Sequence, residues 1–131
     1  MSVKAVAKGV SMSPRKVGVV AALVRGRSVA DALTILEHTP RRSADAVKRV
    51  IESAQANAIN NHHYKPGTLS ITEICVSPGS RIKRFRPAAR GRALPYQLKS
   101  SHIRVLVDGE KRVAKKPAPA VKEKVTKKEA K

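Results

Sequence analysis

Apolar positions recur along this chain with two periods, and they divide it into helical and extended stretches. Val3, Ala5 and Ala7 share one side of residues 3–10 (VKAVAKGV), and Lys4, Val6 and Lys8 share the other, which predicts a short strand. Ser13 fits an N-cap and Pro14 the first position of a helix. That helix runs to about Arg25 and stops at Gly26. Val17, Val20, Ala21 and Val24 form its apolar face. Val19, Ala22 and Leu23 widen the face, so the helix is expected to be mostly buried. Ser28 and Asp31 have a capping-box-like spacing and open a second helix, with Val29, Ala32, Leu33 and Leu36 on its face and an end near His38. Thr39-Pro40 reads as a further cap and first position, opening a third helix to about Asn60. Its face is Ala44, Val47, Ile51, Ala54 and Ala58, and Arg41–Asp45 and Lys48–Glu52 can pair at i, i+4.

After a loop at 60–67 the period changes to two. Residues 69–76 (LSITEICV) and 101–107 (SHIRVLV) are β-prone, and Cys75 reads as a small core residue of the first. Between them the pattern of a core-building element is lost. Residues 74–107 hold no Asp or Glu but carry Arg81, Lys83, Arg84, Arg86, Arg90, Arg92, Lys99 and Arg104. Unstructured loops beyond about 12–15 residues are uncommon inside compact domains. A loop of one charge sign also repels itself unless an anion neutralises it. The stretch therefore reads as a basic hairpin, 77–100, made to bind a polyanion. In extended arms Arg81, Lys83 and Phe85 project to one side and Ile82, Arg84 and Arg86 to the other. Cations on both faces fit a finger surrounded by folded RNA better than a sheet lying on a duplex. The arm from 80 to 90 can reach about 30 Å, at roughly 3.3 Å per residue. Pro87 lacks a ladder donor and Gly91 tolerates positive φ, so the turn is expected between them or just past Gly91.

Charge and composition narrow the function. The formal net charge of +19 on 131 residues implies nucleic acid or another anionic surface as partner. Trp is absent, Phe occurs once and Tyr twice, too few for membrane anchoring or base-stacking platforms. Recognition by phosphate and shape is expected instead. No run approaches the roughly 18 apolar residues of a transmembrane helix. A single cysteine allows no internal disulfide and suits a reducing compartment. The acid-free first thirty residues have the composition of a transit peptide, but the well-formed helix opening at Ser13-Pro14 speaks against cleavage there. Arg15 and Lys16 sit in the first turn of that helix, against its dipole, which fits equally an external anion close by or two solvated basic residues.

No catalytic constellation is present. His62 and His63 are adjacent and would point apart, and His38 and His102 have no Cys or acid at metal-ligand spacing. Gly79, Gly91 and Gly109 form no phosphate loop. An enzyme, a cofactor, a small-molecule substrate and a membrane partner are all unexpected. Residues 110–131 are mostly Lys, Ala, Pro and Val, and read as a disordered basic tail after a domain spanning 1–109.

S-P-R-K at 13–16, K-R-F-R-P-A-A-R-G-R at 83–92 and S-H-I at 101–103, with the helical stretches between them, closely resemble ribosomal protein L-twenty-two of the large subunit, in its bacterial form. The resemblance covers about residues 3–107. It implies an α+β fold, with three helices packed on a small three-stranded antiparallel sheet and a long hairpin extending from it. It also implies a cytoplasmic ribosomal protein that binds large-subunit ribosomal RNA and supports assembly. The hairpin would line the peptide exit tunnel near the macrolide-binding region. Partners would be that RNA, neighbouring ribosomal proteins and the nascent peptide. By matching positions, Arg15 and Lys16 mark the RNA-facing helix start. Lys83, Arg84, Arg90, Gly91 and Arg92 belong to the hairpin end, with a tip at Pro87, Ala88, Ala89, Arg90, Gly91 and Arg92. Together with Arg81, Arg86, Lys99 and Arg104 these cations form the expected RNA contacts. The chain departs from the family at Leu94-Pro95-Tyr96, which replaces a more basic run, and in its longer tail. The rival reading is a helix-turn-helix DNA-binding module with the finger as a minor-groove arm. Its third helix would need base-reading polar residues, and offers mainly Ala, Val and a few charges.

Overall fold

The computed structural model describes residues 2–111. The order of elements is β1 (Val3–Val10), α1 (Pro14–Val24), α2 (Val29–His38), α3 (Arg42–Asn60), β2 (Ser70–Pro87) and β3 (Ala93–Asp108). The sheet is antiparallel with strand order β1-β3-β2. The helices cover one face of it, and the expected α+β architecture is what the chain forms. The residues 112–131 of the proposed tail lie outside the described residues.

The core follows the two periods. Val3 and Ala5 of β1 and Ile103, Val105 and Val107 of β3 point to the helices, as do Ile71 and Ile74 of β2. They meet Val17, Val20, Ala21 and Val24 of α1, Val29, Ala32 and Leu36 of α2, and Val47, Ile51, Ala54 and Ala58 of α3. The α1 face is narrower than its sequence implied. Val19 and Leu23 are exposed, because α1 lies on the rim of the layer and only one side of it meets the sheet and α3. Ile71 and Ile74 cannot share a face of a regular strand. A bulge at Thr72, where Ile71 faces Val107 but Glu73 faces Leu106, restores the phase. The same shift turns Cys75 away from the core. It stands opposite Arg104 on the outer face, half-buried, and is not the core residue expected.

The helix ends are only partly those read from sequence. The Ser28 hydroxyl accepts the Asp31 N–H at 3.2 Å and donates to the Asp31 carboxylate at 2.7 Å, a closed capping pair. Ser13 is extended at the N-cap of α1 but makes no side-chain cap; its carbonyl accepts Lys16 and Val17 N–H instead. Thr39-Pro40 does not open α3. The Thr39 hydroxyl donates to the Ile35 carbonyl at 2.6 Å and closes α2, so α3 begins two residues later with Arg41 at its N-cap. Lys48 pairs with Glu37 of α2 at 2.8 Å and more loosely with Glu52 at 3.8 Å; Arg41 and Asp45 do not pair. That α2–α3 bridge holds the Glu37 carboxyl below its usual range, through the Lys48 hydrogen bond, and raises Lys48.

Two further contacts hold the ends of the sheet. The loop 26–29 runs beside the start of β2, with Gly26 N–H donating to the Ile71 carbonyl and Ile71 N–H to the Arg27 carbonyl. Past Gly109, Lys65 N–H donates to the Glu110 carbonyl at 2.9 Å, Glu110 N–H to the Thr68 hydroxyl at 3.2 Å, and the Lys65 and Glu110 side chains pair at 3.4 Å.

Candidate nucleic-acid interface

Beyond the core, β2 and β3 continue as a two-stranded finger. Its paired part runs from Arg81↔Lys99 to Pro87↔Ala93. No helix packs on this part, and nearly all of its side chains are exposed. At the far end the Ala88 N–H donates to the Arg92 carbonyl at 2.8 Å. Arg90 (φ 60°, ψ 33°) and Gly91 (φ 72°) are both left-handed. Two consecutive positive-φ residues make the kind of hairpin turn whose twist matches the strands. The turn thus falls inside 87–92, and an arginine holds a conformation that usually goes to glycine or asparagine.

The finger's root decides which way each side chain faces. Pro78 pairs with Ser101 and Arg81 with Lys99, so Gly79 and Ser80 together oppose Ser100. This second bulge reverses the alternation of β2. Below it Ile74 and Val76 stand on the helix side; above it Arg81, Lys83, Phe85 and Pro87 do. Ile82, Arg84 and Arg86 are thereby sent to the outer side. Glycine at 79 leaves room for the Ser100 hydroxyl: an added Cβ would lie 2.5 Å from its oxygen and would force that side chain to shift. That hydroxyl donates to the Ser80 carbonyl at 2.7 Å. On the adjoining strand pair, Gly9 (φ 71°) donates its N–H to His102 Nδ1 at 2.9 Å.

The bulge brings Arg81 to Lys99 and both to the start of α1. A cavity of about 310 Å³ there is lined by Ser13, Pro14, Arg15, Pro78, Arg81, Lys99 and Ser100. Three of the ten expected contact residues converge on it from three elements. α1 has no acidic residue in its first turn, so its dipole adds positive potential to the same spot. Cations, hydroxyls and a helix N-terminus around one small volume suit a phosphate group. Ser13 and Ser100 were not foreseen; no local pattern connects them to Arg81.

The other expected residues are spread along the finger. Lys83 continues the Arg81 side, Arg84 and Arg86 occupy the other, and Arg90 and Arg92 hold the tip. Lys16 is exposed beside Arg15 but does not line the cavity. Among the described residues Arg104 alone of the ten has an acidic partner, Glu73 at 3.4 Å. The remaining nine have no ion pair among the described residues. The outer side also holds a stripe that sequence reading missed. Ile82 faces Leu98, Arg84 faces Tyr96 and Arg86 faces Leu94, so exposed Ile82, Leu94, Tyr96 and Leu98 share it, with the Arg86 guanidinium 5.5 Å from the Tyr96 ring centre. The alternation of 94, 96 and 98 was the available signal.

Comparison with known proteins finds a family that matches most of the chain. Residues 5–108 match the family described as ribosomal protein L22p/L17e. Over 111 residues the chain is 46% identical to the large ribosomal subunit protein uL22 of Clostridioides difficile, covering 85% of this chain and 100% of that one. Over 111 residues it is 45% identical to the uL22 protein of Oceanobacillus iheyensis, covering 85% and 98%. Over 107 residues it is 46% identical to that of Clostridium tetani, covering 82% and 96%.

Proposed function

We propose a function from one fixed premise: the chain belongs to the ribosomal protein L22p/L17e family, and so is a structural, non-enzymatic protein of the large ribosomal subunit. Its place is the cytoplasmic ribosome, with ribosomal RNA and other ribosomal proteins as partners. Residues 1–109 form the RNA-binding domain. The finger enters folded large-subunit RNA, and its tip at 87–92 lines the path of the nascent peptide.

One observation carries this reading: a two-stranded finger without a single acid, whose seven cations (Arg81, Lys83, Arg84, Arg86, Arg90, Arg92 and Lys99) have no carboxylate partner among the described residues. An isolated two-stranded hairpin is marginal in water, and unpaired like charge weakens it further. Such an element gains its order from phosphates on both sides. Arg15, Arg81 and Lys99 grip the backbone at the root, and Arg84, Arg86, Arg90 and Arg92 anchor the shaft and tip. The helix-turn-helix alternative fares poorly, because the face of α3 from Ser43 to Ala58 is spent on the core.

A photoactivatable probe on Arg90→Cys, in the background Cys75→Ser, tests the placement in translating ribosomes. Crosslinks to the nascent chain are expected. Crosslinks only to outer-surface proteins would refute the tunnel assignment. Competition between large-subunit RNA and duplex DNA tests the partner, and equal affinity would refute specific RNA binding.

A further inference from the structure

A second, larger cavity lies away from the finger, between β1 with the loop after it and the exposed side of α3. It measures about 630 Å³, inside the roughly 300–1,000 Å³ of small-molecule pockets. Val10, Met12 and Val50 contribute apolar lining. Arg42, Asp45 and Arg49 stand together in its α3 wall, spaced i, i+3 and i+7 along one helix face. The two arginines have no acidic partner, and Asp45 has neither an ion pair nor a hydrogen bond among the described residues. Its charge acts on Lys48, three residues on, and helps to raise that ammonium, but a carboxylate in the wall of the cleft still repels a phosphate that approaches it. A pocket meant for phosphate alone would have no use for it. A nucleobase, by contrast, needs an apolar slot and an acceptor for its N–H groups.

We propose that this cleft takes one unstacked nucleotide of the ribosomal RNA, with guanine preferred. The base lies against Val10, Met12 and Val50. Asp45 accepts the N1–H and N2–H of its Watson–Crick edge, a paired contact that no other RNA base offers to a carboxylate. Arg42 and Arg49 hold the flanking phosphates. This rests on the RNA-binding reading above, but uses residues that the finger does not.

The test uses full-length protein with Cys75→Ser, assembled into large subunits, carrying an aryl azide on Ser53→Cys at the rim of the cleft. A matched sample carries the azide on Arg90→Cys. The expected result is a crosslink from the Ser53 position to one unpaired guanosine, mapped by primer extension. Crosslinks there only to protein, or to no nucleotide, while the Arg90 probe reaches RNA, overturn the nucleotide pocket and leave RNA binding by the finger intact. No RNA crosslink from either position overturns both. A second arm uses Asp45→Asn in binding to large-subunit RNA. Removing a negative charge should tighten binding if Asp45 is merely repulsive. Loss of a paired base contact should instead weaken it by roughly tenfold. Tighter or unchanged binding overturns the role given to Asp45.

Discussion

The convergence of Arg15, Arg81 and Lys99 on one cavity makes a quantitative demand on RNA binding. As separate positions in a sequence, three cations would meet three phosphates. Each phosphate neutralised contributes about 0.7–0.9 to the slope of log K against log salt, so replacing all three with Gln would flatten the slope by roughly 2–2.7. The structure argues for a smaller number. Arg15, Arg81 and Lys99 all line the same cavity of about 310 Å³, so they are placed to share one anion rather than to meet one each. The triple variant should therefore lose only about 0.7–0.9 of slope. The single variants should be strongly non-additive, because the first substitution already loosens the shared anion. Filter binding to large-subunit RNA across a salt series measures both quantities. The free protein should move the other way. Arg81 and Lys99 are directly opposed, and like charges so placed destabilise a strand pair. Lys99→Gln should thus slow hydrogen exchange at the finger root while weakening RNA binding. Additive losses with a total slope change near 2.7 would show separate phosphates and refute the shared site.

Gly79→Ala should displace the Ser100 hydroxyl from the Ser80 carbonyl, cost about 0.5–1.5 kcal/mol, and shift amide resonances across the finger while leaving α1–α3 unchanged. The Ser101 hydroxyl is buried without a partner among the described residues, so Ser101→Ala should be neutral or stabilising by up to about 1 kcal/mol in urea unfolding. Truncation after Gly109 should cost about 1–2 kcal/mol relative to truncation after Lys111, through loss of the Lys65 and Thr68 contacts to Glu110, as a lowered thermal midpoint would show. Glu37 is lowered from 4.5 and Lys48 raised from 10.5, so their bridge contributes between those values. Its small contribution fades as pH falls through the depressed carboxyl pKa or rises through the elevated ammonium pKa; Lys48→Met should remove that pH dependence from denaturation midpoints.

Local chemistry was enough to determine most elements of this protein. Period-two and period-3.6 spacing marked all three strands and all three helices, Ser28 with Asp31 marked a true cap, and Pro87 and Gly91 bracketed the turn. The single charge sign of the finger was equally plain, since it needs no knowledge of neighbours. What the tertiary structure alone decided is phase and convergence. Hydrophobic period tells which residues share a face only while the strand stays regular. The bulges at Thr72 and at Gly79 with Ser80 each reverse that phase, one turning Cys75 outward and the other carrying Arg81 to the helix side. Thr39 could cap the helix after it or close the one before it, and the free Ile35 carbonyl decided for the latter. Arg15 meets Arg81 and Lys99, and Asp45 meets Val10 and Met12, only because α1 and α3 pack on a sheet that the chain completes last. Such meetings depend on packing between segments far apart in the chain, and no local pattern encodes them.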